Sequence, residues 1–120
     1  MRRAVLAAVV ALAAVGSAAA PARAAADCAD DGVASLCATA KASGDALALQ
    51  YQIVQSDGPG TYSLYYVDTT TGTTSPSRAI GPLDYQQGDS GTFMVNIGHC
   101  YDVHLDSVPG TSLVVSQVCG

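Results

Sequence analysis

Leu47, Leu49, Tyr51 and Ile53 alternate with Ala48, Gln50 and Gln52. A period of two puts every second side chain on one face, which is the geometry of a half-buried strand; an amphipathic helix would repeat every three to four residues instead. The same alternation returns at Phe93, Val95 and Ile97 and again at Tyr101, Val103 and Leu105. Beyond residue 26, no stretch carries a long helical period. The chain is therefore expected to fold as sheet.

Turn chemistry divides the alternating runs. Ser43-Gly44-Asp45 reads as a tight turn back to a preceding strand over 36–42, and Ser56-Asp57-Gly58-Pro59-Gly60 as a second, because Gly supplies positive φ and Pro presets its own. A strand is expected over 61–68, then a hairpin loop at Thr69-Thr70-Thr71-Gly72-Thr73-Thr74. Pro76 restricts the next segment to an edge strand or an irregular run. Residues 81–91 read as a stretch of turn-formers around Leu83 and Tyr85, and the last strand covers about 112–119. The sum is an all-β fold, a small immunoglobulin-like β-sandwich of six to seven antiparallel strands.

Arg2 and Arg3 precede an apolar run over 4–15, and small residues follow at Ala22-Arg23-Ala24 and Ala24-Ala25-Ala26. This is the pattern of an export signal cleaved after Ala24 or Ala26. The run is Ala-rich and interrupted by Gly16 and Ser17, too weak to hold a bilayer, so removal is expected in place of anchoring. The reading is residues 1–26 as signal peptide and 27–120 as one secreted domain, exported to the extracellular space.

A domain of this size buries only about 60–65% of its unfolded surface, so cross-links matter. Cys28, Cys37, Cys100 and Cys119 are an even set in an oxidising compartment and read as two disulfides. They lack the paired spacing of zinc ligands. The midpoint of Cys100 and Cys119 falls between Pro109 and Gly110, where a turn is expected. A symmetric hairpin then pairs Cys100 with Cys119, Tyr101 with Val118, Val103 with Ser116 and Leu105 with Val114. Proximity and elimination leave Cys28–Cys37. The rival arrangement is a bridge between sheets, joining one N-terminal to one C-terminal cysteine.

Residues 27–120 hold two cations, Lys41 and Arg78, against ten aspartates, so the net charge is 2 − 10 = −8. Such a charge repels phosphate backbones and anionic lipid, which argues against nucleic acid or membrane as partner. Glu is absent from the whole chain. The Ala-heavy leader and the Asp- and Thr-rich body resemble secreted proteins of high-GC bacteria in composition.

Several residue groups raise the question of chemistry. Gly88-Asp89-Ser90-Gly91 resembles the surroundings of the nucleophile in chymotrypsin-like serine proteases, and His99-Cys100 the surroundings of their base. The order along the chain is wrong, the second Gly of the motif is Thr92, and two barrels do not fit in this length; a turn leading into the Phe93 strand explains the same residues. Asp102, His104 and Asp106 lie two apart, so a strand puts them on one face as potential metal ligands, with His99 on the other. Alternating polar residues are equally what a solvated strand face contains. Asp27, Asp30, Asp31 and Gly32 match part of an EF-hand calcium loop, but Ala29 and Ala38 replace required ligands, and an acidic turn held by Cys28 and Cys37 accounts for them. The reading assigns no catalytic residue, cofactor or metal.

Six tyrosines supply nearly all the aromatic surface. Tyr65 and Tyr66 must face opposite ways; with Leu64 buried, Tyr65 points outward as contact area for a protein or a glycan. The small secreted α-amylase inhibitors have similar size and two disulfides, but their Trp-Arg-Tyr turn has no counterpart here. The expectation is a non-enzymatic binding or inhibitor-type module recognising an extracellular protein or glycan. Its loops over 55–60, 69–77 and 106–112 would carry the contact, with Tyr65, Pro109 and Gly110 as surface residues. The alternatives are a small extracellular hydrolase using His104 or His99 with aspartates, and a structural component of the cell envelope.

Overall fold

The computed structural model describes residues 27–107 and 110–120. The segment expected to be a signal peptide, residues 1–26, and Pro109 lie outside the described residues. Among the described residues, nine antiparallel strands occur in the order β1 (Asp27–Asp30), β2 (Ala34–Ser43), β3 (Ala46–Gln55), β4 (Gly60–Asp68), β5 (Thr73–Thr74), β6 (Arg78–Leu83), β7 (Gly88–Asn96), β8 (Cys100–Ser107) and β9 (Ser112–Cys119). Seven of them have six residues or more. One sheet runs β1-β2-β3-β7, and the other runs β9-β8-β4 with β5 and β6 both paired to β4. The chain changes sheet between β3 and β4, between β6 and β7 and between β7 and β8.

Alternation decides which residues meet between the sheets. Leu36, Leu47, Leu49 and Ile53 from one sheet face Leu64, Val103, Leu105 and Tyr101 from the other, and all eight are fully buried. Each such aliphatic side chain contributes about 1.5–3 kcal/mol by leaving water. The β2–β3 hairpin closes through Gly44-Asp45 with Gly44 at φ +63°, a first turn position that glycine takes without steric cost.

Tyr101 closes one end of the core. Its hydroxyl donates to the Asn96 carbonyl at 3.0 Å and accepts from the Asn96 N–H at 2.9 Å, tying the β7–β8 turn to the base of β8. Both cystines lie within a sheet, Cys28–Cys37 joining β1 to β2 and Cys100–Cys119 joining β8 to β9. Neither bridges the two sheets.

Two local expectations are corrected. Gly88-Asp89-Ser90-Gly91 is not a turn: it is the first half of β7, paired residue by residue with β3 from Val54 to Tyr51. The 81–91 stretch thus contains the end of β6, a short loop and a strand. The C-terminal hairpin keeps Cys100 opposite Cys119 and Tyr101 opposite Val118, but Val103 faces Val115 and Leu105 faces Leu113. An extra residue between Val115 and Val118 forms a β-bulge, with Gln117 at φ +56°. The cause is burial. Leu113, Val115 and Val118 all point inward, and their uneven spacing can share one face only if the strand gains a residue where it is bulged.

Candidate functional site

At one end of the sandwich three connections converge. Residues 56–59 leave β3, and Gly110 and Thr111 lead into β9, so both segments lie at the start of β4. The β6–β7 loop joins them because the Gln86 N–H donates to the Gln55 carbonyl at 2.7 Å and the Gln55 N–H to the Gln87 carbonyl at 2.8 Å. Between the first two lies an open groove of about 660 Å³, whose lining includes Asp31, Asp57, Gly60, Pro82, Gly110 and Thr111.

The floor of the groove is polar and internally bonded. Gln55, only 1% exposed, donates from Nε2 to the Gly58 carbonyl at 2.6 Å and accepts from the Tyr62 hydroxyl through Oε1. Burial pushes the Tyr62 phenol above its ordinary value. A Cβ on Gly60 would come within 2.7 Å of that hydroxyl, so glycine here lets the loop pass over the tyrosine. On the rim, Asp31 accepts from the N–H groups of Ala34 and Val33 at 3.0 and 2.9 Å. The Ala34 N–H leads in holding its carboxyl below the usual range, with help from the Val33 N–H and the Thr111 hydroxyl against the opposing effect of burial. The loop is thereby held by ordinary turn bonds, and Asp30 does the same for the Gly32 N–H at 2.7 Å.

Tyr85, in the β6–β7 loop, is 64% exposed, more than any other large hydrophobic residue described. The sequence reading missed it because a tyrosine among turn-formers shows no period. Of the expected surface residues, Gly110 is among those lining the groove. Tyr65 is not: it points outward, but from the outer face of the β9-β8-β4 sheet. There its ring stacks on His104 at 4.7 Å and its hydroxyl donates to Asp106 Oδ2 at 3.2 Å.

The other sequence candidates are separately engaged. Asp102 Oδ1 accepts the Gln117 N–H at 2.9 Å, His104 stacks on Tyr65, and Asp106 also accepts from Ser112 Oγ at 3.2 Å. They share a face as expected, yet among the described residues no three His, Cys, Asp or Glu side chains gather as a metal site. His99 sits in the β7–β8 turn, where its Nδ1–H donates to Asp68 Oδ2 at 2.6 Å. Burial alone would raise the Asp68 carboxyl, but His99 and the Thr71 and Thr70 N–H groups outweigh it and leave the carboxyl lowered. Ser90 lies on β7 six residues before Asn96, which along a strand is about 20 Å from the turn that carries His99. Serine and histidine of the protease-like motif are thus far apart. Comparisons with protein-family models, with curated proteins and with solved structures found no match to the chain.

Proposed function

We propose that this protein is a secreted, non-enzymatic binding or inhibitor-type module that engages an extracellular partner through the loop end of its sandwich. The observation that carries this reading is the convergence of three loops at one end of the sandwich, two of them bordering a groove with an internally bonded floor and the third holding a tyrosine out in solvent. Binding energy is commonly concentrated in a few aromatic side chains. The two disulfides are compatible with an extracellular protein, and export by residues 1–26 belongs to the same proposal. The immunoglobulin-like reading of the sandwich draws support from the Tyr101 corner and from the division of strands between the sheets.

The hydrolase alternative has one favourable observation, the His99–Asp68 pair. That pair ties two turns together at the end of the molecule away from the groove, which accounts for it without catalysis. The test is capture of extracellular proteins and glycans on immobilised protein, compared with Tyr85→Ser, Asp57→Lys and a Lys41→Ala control. Loss of a partner in the two loop-end variants and its retention in the control is expected. Equal capture by all forms would remove the loop end as the site, and turnover of a substrate would overturn the non-enzymatic reading.

A further inference from the structure

Between β6 and β7 the two sheets are not joined. β6 pairs with β4 and β7 with β3, so the inner faces open toward solvent along this side of the sandwich. Tyr66 and Phe93 stand in the opening, each only partly buried against the core, their rings edge to face with centroids 5.1 Å apart. Arg78 crosses it. Arg78 lies opposite the buried Leu64 in the β4–β6 register and therefore points toward the facing sheet. There its guanidinium carbon sits 4.0 Å from the Phe93 ring centroid, and its Nη1–H donates to the Tyr51 hydroxyl at 3.3 Å. A Cβ on Gly91 would come within 2.6 Å of that hydroxyl, so the glycine leaves the phenol its place beside β7. The guanidinium is thus fixed on two sides, by a ring face and by a phenol.

Covering an apolar gap accounts for the stacking but not for the charge. Ten aspartates are present, yet among the described residues the only ion pair is His99–Asp68, so Arg78 has no carboxylate within 4.0 Å. Of its fork of N–H donors, one is bonded within the protein. Beside it opens a cleft of about 320 Å³ lined by Tyr66, Ser75, Pro76, Ser77, Arg78 and Phe93.

We propose that this cleft binds a small monocarboxylate with an apolar, ring-sized body, its carboxylate on the free edge of the Arg78 guanidinium and its body against Pro76 and Tyr66. A guanidinium presents parallel N–H groups that match the two oxygens of a carboxylate, and stacking on an aromatic face leaves that edge open. The volume lies at the lower end of small-molecule sites, enough for one ring and a short chain. Charge sets the number of carboxylates. Residues 27–120 carry −8, a field that repels dianions, and Arg78 compensates one negative group. Because the guanidinium is already held by Phe93 and Tyr51, little of its freedom remains to be lost on binding. The cleft lies at the side of the sandwich, apart from the loop-end groove, so binding in one does not require binding in the other.

Titration of the purified, disulfide-bonded protein with phenylacetate, followed by NMR at the Arg78 Nε–H and the Phe93 ring, tests the site. Saturable shifts at both groups are expected. Phenylacetamide, which lacks the charge, and acetate, which lacks the body, are each expected to bind at least about tenfold more weakly, and phenylmalonate more weakly because it adds a charge. Arg78→Gln is expected to weaken phenylacetate about tenfold or more, whereas Lys41→Gln, which removes the other cation, leaves it within about twofold. Absence of saturable shifts with phenylacetate, or equal binding of phenylacetamide or acetate, would overturn the proposal on the unsubstituted protein, whatever the variants do. So would equal weakening by Arg78→Gln and Lys41→Gln, which is the mark of diffuse attraction.

Discussion

Single side chains at the two ends of this sandwich do different work. At the groove end, Gln55 and Tyr62 are buried polar groups whose hydrogen bonds are made internally, so they stiffen the loop without a desolvation penalty left open. At the other end, Asp68 collects His99 and two backbone N–H groups and joins the β4–β5 turn to the β7–β8 turn. The carboxyls of Asp68 and Asp31 are both lowered in the folded protein. A lowered folded-state value means that the stabilisation is fully present above the unfolded aspartate value, about 3.9, and is lost as pH falls through the folded one. Denaturant titrations should therefore show stability declining from about pH 4 downward. Asp68→Asn is expected to lower stability at neutral pH and to flatten that decline. An unchanged acid slope would show that the His99 tether is not coupled to folding.

At the scale of elements, β9 shows how a strand reconciles pattern with burial. Its three inward residues are unevenly spaced, and the bulge absorbs the mismatch while keeping Cys119 opposite Cys100. Gln117 bears the cost, since a residue with a Cβ at φ +56° is strained by about 1–2 kcal/mol. Gln117→Gly keeps the N–H that bonds Asp102 and removes the Cβ. It is expected to raise stability by about 0.5–1 kcal/mol in urea unfolding, less than the full strain because glycine is freer when unfolded. Destabilisation instead would mean that the Gln117 side chain holds the bulge.

For the whole molecule, a two-sheet domain that begins at Asp27 and has a modest core depends on covalent closure. The Cys28–Cys37 and Cys100–Cys119 loops contribute about 2.7 and 3.3 kcal/mol in the chain-entropy model, comparable with the net stability of a small domain. Their positions separate their effects. Cys28–Cys37 anchors a four-residue edge strand, whereas Cys100–Cys119 closes the hairpin that carries Val103, Leu105, Leu113 and Val115 into the core. Thermal unfolding of the paired-alanine variants is expected to show the larger loss for Cys100→Ala with Cys119→Ala. A difference no larger than the roughly 0.6 kcal/mol expected from the two loop lengths would place the benefit in the unfolded chain alone.

Much of this was legible along the chain. The two-residue period at Leu47–Ile53 and Tyr101–Leu105 specified strands and their buried faces, because side-chain direction in a strand is a local property. Cysteine spacing around a central turn specified the Cys100–Cys119 pairing for the same reason. What stayed hidden depends on contacts between segments distant in sequence. Gly88-Asp89-Ser90-Gly91 has the composition of a turn and becomes a strand because β3 offers it a complete row of backbone partners. Tyr85 joins the groove end only because Gln55 ties its loop there, and Asp68 meets His99 across 31 positions. Local sequence sets which way each side chain points; packing of the sheets decides which loops become neighbours, and that is a property of the closed structure.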